Sequence, residues 1–177
     1  VNMNKILLVG DGAFSKALYH VFQNKKENNL AMWSPNFHLK KKKLNITYNL
    51  NDAVQNNDFI FVLVSTPYLE KILEQILKND LTNKILFLGT KGFLPKPPYF
   101  ISNYLDKKQV SYSIFGGPNL AKELNEASPT SITFSINDFK KTNQIKTLWP
   151  PFIKPIFIKD AISLEICNNL KNIYAIG

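Results

Sequence analysis

Apolar positions along the chain fall into two alternating kinds of run. Ile6 to Val9, Leu30 to Trp33, Phe59 to Val64 and Ile85 to Leu88 are short and continuous, and Ser113 to Phe115 and Ser131 to Ser135 have the same length and β-prone make-up. Runs of this kind predict strands covered on both faces, as in a parallel sheet. Between them, apolar residues recur at helical spacing: Phe14, Ala17, Leu18, Val21 and Phe22; Tyr68, Leu69, Ile72, Leu73, Ile76 and Leu77; Phe100, Ile101, Tyr104 and Leu105. Asp160 to Ile176 reads as a final helix, apolar at Ile162, Ile166, Leu170 and Ile173. Strands alternating with helices predict an α/β fold with a doubly wound, mostly parallel sheet and a ligand crevice at the carboxyl ends of its strands. There is no internal repeat and no long linker.

The first strand-to-helix junction, Gly10-Asp11-Gly12-Ala13-Phe14-Ser15, is where chemistry enters. Gly10 permits a tight turn, Gly12 lets backbone approach a pyrophosphate, and the unpaired N–H groups of the helix start present a positive end to it. The third position of the dinucleotide fingerprint is Ser15, where Gly or Ala would pack more closely on the strand, so Ser15 is expected to strain the helix against the sheet. Two readings stand at this point: a Rossmann-type cofactor turn, or a plain strand entering a helix. Beyond the second strand, Trp33-Ser34-Pro35 holds neither an acidic residue for a ribose 2′-hydroxyl nor an arginine for a 2′-phosphate, leaving NAD and NADP undistinguished.

Composition narrows the classes. At 177 residues the chain suits one domain with a substantial core. It holds no apolar run of about 18 residues that would cross a membrane, and its start lacks a signal-peptide pattern, so a cytoplasmic location is expected. The lone Cys167 is expected to be a small buried residue, and neither it nor His20 or His38 stands in a metal-ligand spacing. The net charge of +9 includes the run Lys40 to Lys43 but no arginine at all, which removes the bidentate fork used for base readout. Specific nucleic-acid binding is not expected. Lysine and asparagine share A-rich codons, so base composition explains the charge without a partner.

Three further segments, LGTKGF (88–93), FGGPNLAKELNEASPTSITFS (115–135) and EICNNLKNIYAIG (165–177), join VGDGAFSKAL in a familiar order. Together they resemble the bacterial NAD(P)-dependent glycerol-3-phosphate dehydrogenases, and the resemblance runs through essentially the whole chain. It implies a hydride exchange between NAD(P)H and dihydroxyacetone phosphate, giving sn-glycerol 3-phosphate as a phospholipid precursor. By the same resemblance Lys171 is the general acid/base, and Lys91 contacts substrate and cofactor and polarises the substrate oxygen. Gly117, Asn119 and Asn172 are implied in substrate binding. Gly10, Gly12, Ala13, Phe14, Ser15, Lys91 and Ala121 are implied against the dinucleotide. A catalytic lysine of this kind needs a pKa lowered by burial or by a second cation, a part Lys91 can play.

The chain also departs from the family pattern. Ser15 replaces the third glycine, the segment between Trp33 and Ile46 is shorter, and Asn119 stands where a hydroxyl residue is common. Family members continue into an all-helical C-terminal domain that completes the substrate site, so the expectation is a truncated chain: residues 1–160 as the NAD(P)-binding unit and 161–177 as the first helix of that domain, with a homodimer or a separate C-terminal fragment as partner. The rival expectation is a non-catalytic Rossmann module that binds a nucleotide or a protein through the apolar face of its last helix. A third, nonspecific nucleic-acid binding through Lys40 to Lys43, predicts steep salt dependence.

Overall fold

The computed structural model describes residues 3–36, 44–119, 121–136 and 139–174, with 172–174 described by their backbone alone. The elements in chain order are β1 (Asn4–Val9), α1 (Ala13–Gln23), β2 (Asn28–Trp33), β3 (Ile46–Thr47), α2 (Leu50–Gln55), β4 (Phe59–Val62), α3 (Thr66–Ile76), β5 (Ile85–Leu88), α4 (Ile101–Asp106), β6 (Tyr112–Gly116), α5 (Ala121–Asn125), β7 (Thr130–Ser135), α6 (Thr142–Lys146), β8 (Ile153–Ile158) and α7 (Ala161–Tyr174). The strands form one sheet in the order β3-β2-β1-β4-β5-β6-β7-β8. Neighbours are parallel except β6 and β7, which run antiparallel. The first six strands follow the Rossmann order, and the chain reverses its winding at β1 and β4, which is where such sheets open a crevice. Register aligns the carboxyl ends there, with Val9 beside both Trp33 and Val62.

The continuous apolar runs are explained by alternation. Ile6, Leu8, Phe61, Phe87, Phe115 and Phe134 face one side with α1 and Trp149, while Leu7, Val9, Ile60, Val62, Leu86 and Leu88 face the other with α2, α3 and α4. Both sides are covered, so every residue of β4 and β5 is buried. On the first side the phenylalanine rings form a layer: Phe61 stacks on Phe87 at 4.3 Å between centroids, Phe115 on Phe134 at 5.7 Å, and Phe61 meets Phe115 edge-on at 5.5 Å.

Several expectations change. Tyr68 is 64% exposed, because the buried stripe of α3 is Leu69, Ile72, Leu73 and Ile76 and Tyr68 lies beside it. Cys167 is exposed rather than buried: α7 turns Leu164, Glu165 and Asn168 toward the body of the protein, and Cys167 falls outside that stripe. Of the apolar face expected on α7, Ile162 is 41% exposed, Ile166 and Leu170 are half-buried, and the Ile173 side chain lies outside the described residues. Strand β8 escaped the reading because Pro155 interrupts it; an edge position in the sheet order tolerates a residue with no N–H to donate. His38 and Lys40 to Lys43 lie outside the described residues. Among the described residues no helix is long and apolar enough to cross a membrane.

Candidate functional site

The turn after β1 has the geometry of a phosphate cradle. Gly10 has φ +121°, and a Cβ there would lie 3.1 Å from the Leu63 carbonyl oxygen, so backbone strain and crowding both require glycine. Above Gly12 there is open space within 4 Å of where a Cβ would sit. Gly12 caps α1 without a side-chain hydrogen bond, and no acidic residue occupies the first turn, which leaves that turn's N–H groups facing outward. These are the features a dinucleotide pyrophosphate needs, and the residues present fit one.

Ser15 does not strain this turn. It is buried, and its Oγ donates to the Gly10 carbonyl at 2.6 Å, tying the first turn of α1 back to the glycine loop. What Ser15 offers a ligand is therefore its backbone. Phe14 packs against the core and also lines the neighbouring cleft, so the core and ligand readings of this residue coexist.

A second group assembles at the carboxyl ends of β5 and β6. Lys91 follows β5, the Gly116-Gly117 pair ends β6, and Lys171 comes from α7; with Phe14, Asn119 and Asn168 they line one small cleft. Glycine is required at residue 116 because a Cβ there would collide with the Asn168 side chain, whose Nδ2 donates to the Phe115 carbonyl at 3.0 Å. That bond lets α7 approach the end of β6. Lys171 Nζ then donates to the Gly117 carbonyl at 2.8 Å. Its pKa is lowered, first by burial and then by the Lys91 charge, with Glu123 opposing. The result is an ammonium group that releases its proton more readily than an ordinary lysine.

Lys91 is held by its backbone. Thr66 Oγ1 donates to the Lys91 carbonyl at 2.7 Å, and the Gly92 N–H donates to Asn169 Oδ1 at 2.6 Å, so α3 and α7 together fix the turn that carries this lysine. Asn119 Nδ2 donates to Thr130 Oγ1 at 2.6 Å and to the Ser131 carbonyl at 3.1 Å. Both amide protons are thereby engaged, and Asn119 shapes the loop rather than reaching into the cleft with a free donor. Ala121 packs against the core at the start of α5, which lies along α1. Asn172 lies on α7, one residue past Lys171.

Sequence reasoning passed over Glu165, Asn168 and Asn169. Glu165 is buried; it accepts from the Ile101 N–H at 2.6 Å and from the Ser102 N–H and Oγ at 3.2 and 3.0 Å, capping α4 from a distant helix. Burial holds its carboxyl above the usual range despite those bonds. The available signal was the helical spacing of polar residues in EICNNLKN, which mirrors an apolar stripe but faces inward.

The family described as NAD-dependent glycerol-3-phosphate dehydrogenase N-terminus matches residues 13–142. A glycerol-3-phosphate dehydrogenase [NAD(P)+] of Rickettsia bellii is 32% identical over 137 residues, 75% of this chain and 43% of its own length. One from Fusobacterium nucleatum is 26% identical across 99% of this chain and 59% of its own length. The chain thus spans about half the length of these curated relatives. In fold it is similar to the glycerol-3-phosphate dehydrogenase of Coxiella burnetii, with a TM-score of 0.84 at 20% identity over 99% of this chain and 60% of that one. The Plasmodium falciparum enzyme gives 0.79 at 24% identity over 97% of this chain and 57% of that one. The glycine turn, the paired lysines and these likenesses agree, and the chain belongs to the family of the NAD-dependent glycerol-3-phosphate dehydrogenase N-terminus.

Proposed function

We propose that this chain carries the dinucleotide-binding part of a glycerol-3-phosphate dehydrogenase, exchanging a hydride between NAD(P)H and dihydroxyacetone phosphate to give sn-glycerol 3-phosphate for phospholipid synthesis in the cytoplasm. The observation that carries this reading is Lys171, partly buried, oriented by the Gly117 carbonyl and lowered in pKa beside Lys91. Bound nicotinamide would supply or accept the hydride. Gly10, Gly12, Ala13, Phe14 and the Ser15 backbone would hold the dinucleotide, with Ala121 alongside. Lys91 would polarise the substrate oxygen, and Lys171 would pass a proton to that oxygen during reduction and withdraw it during oxidation. Gly117 and Asn119 shape the substrate loop, and Asn172 would hydrogen-bond the substrate. We assign residues 1–160 to the dinucleotide-binding unit and 161–177 to the opening helix of a helical domain; the outward Ile162 supports that division.

Titration of NADH and NADPH followed by a turnover assay with dihydroxyacetone phosphate tests the reading. Where turnover is measured, Lys171→Ala should lower kcat by about 10²- to 10⁴-fold with the nicotinamide dissociation constant little changed. Lys171→Arg should rescue little, since guanidinium does not release its proton near neutral pH. Full activity in Lys171→Ala would falsify the assignment.

A further inference from the structure

The second residue of the glycine turn is an aspartate, and it does not point idly into solvent. Gly10 N–H donates to the Trp33 carbonyl at 3.0 Å, drawing the turn against the carboxyl end of β2. Ser34, the next residue past β2 and 0% exposed, donates its Oγ proton to Asp11 Oδ2 at 2.8 Å. The same Oγ accepts from the Asn36 N–H at 3.0 Å, and the Ser34 N–H donates to the Thr47 carbonyl at 3.2 Å. Ser34 is fully occupied in holding the carboxylate in place. Asp11 Oδ1 makes no hydrogen bond within the described residues.

This geometry puts a fixed carboxylate at the carboxyl end of β2, where a Rossmann sheet meets the adenosine ribose of its dinucleotide. The acidic residue that β2 itself lacks is delivered from the neighbouring turn. We infer that Asp11, tethered by Ser34, selects a dinucleotide with a free ribose 2′-hydroxyl over one carrying a 2′-phosphate; the inference rests on the dinucleotide reading above. A carboxylate oxygen accepts a hydrogen bond from the 2′-hydroxyl, whereas a 2′-phosphate in the same place brings like charges together. No arginine exists in the chain to offset that repulsion with a bidentate clamp.

The test is a fluorescence titration of the purified chain with NADH and with NADPH, for the natural protein and for Asp11→Asn, which keeps an acceptor for Ser34 and removes the charge. The natural chain should bind NADH tighter than NADPH by at least about tenfold. Asp11→Asn should shrink that ratio, chiefly by tightening NADPH. For the natural chain alone the ratio should also narrow as salt rises, because repulsion between exposed charges is screened; this readout needs no variant to fold. A ratio that ignores both the substitution and salt overturns the inference. So does NADPH binding at least as tight as NADH, the result expected if the lysine run Lys40 to Lys43 receives the 2′-phosphate. Binding of neither dinucleotide overturns the underlying reading, and this inference with it.

Discussion

At the scale of single residues, the proposed site turns on a lysine made less basic first by burial and then by a second lysine. Lys171 is reached by burial and by the Lys91 charge, and the turn carrying Lys91 is anchored through its backbone, not through its ammonium group. Lys91→Met should therefore leave the turn standing and raise the Lys171 pKa toward its ordinary value, a shift readable from side-chain nitrogen resonances titrated with pH. In the dehydrogenation direction the alkaline rise in rate should move to higher pH with it. An unmoved Lys171 resonance would leave burial as the whole cause. Stability follows a fixed sign. A lysine with a lowered native pKa binds fewer protons folded than unfolded, so its contribution is complete above the ordinary value of 10.5 and is lost as pH falls through the lowered one. Lys171→Met should flatten that part of the stability profile, as followed by urea midpoints across alkaline pH.

Among the elements, α7 is the one whose placement decides most. Its inward face is largely polar: Glu165 caps α4, Asn168 bonds the end of β6, Asn169 fixes the turn of Lys91, and Lys171 reaches Gly117. One helix thus holds together the start of α4, the turn after β5 and the end of β6. Glu165→Ala would strand the N–H groups of Ile101 and Ser102, and the loss should be about 1–3 kcal/mol. For a chain of this size that corresponds to about 2–4 °C in Tm per kcal/mol, measurable by scanning calorimetry. Hydrogen exchange should show α4 amides losing protection first. Unchanged α4 protection would mean that packing of Ile101 and Leu105, and not the cap, holds that helix.

For the molecule as a whole, the phenylalanine layer links stability to the site. Phe87 is buried, stacks on Phe61 and meets Phe115 edge-on at 6.5 Å, and Phe115 immediately precedes the Gly116-Gly117 pair. Removing the Phe87 ring leaves a cavity that the sheet cannot close, since its partners are held by strands on both sides. Phe87→Ala should cost about 3–5 kcal/mol in urea unfolding. A loss below about 1 kcal/mol would show that the layer collapses around the gap.

The apolar pattern by itself determined the succession of β1, α1, β2, β4, α3, β5, α4, β6, β7 and α7, the double coverage of β1, β4 and β5, and the position of the glycine turn, while Lys91 and Lys171 were legible only through the family motifs around them. Those properties are local: alternation and helical spacing record which side of an element is dry, and a glycine turn is written in consecutive residues. Only the tertiary structure decided that Lys91 and Lys171 share a cleft, that Ser15 ties to Gly10, that Asp11 is held by Ser34, and that α7 turns Glu165 and Asn168 inward while Cys167 stays outside. The physical reason is the same in each case. A polar side chain is buried only where a partner meets its hydrogen bonds, and for Glu165, Asn168 and Lys171 that partner comes from a distant segment, which no local periodicity records.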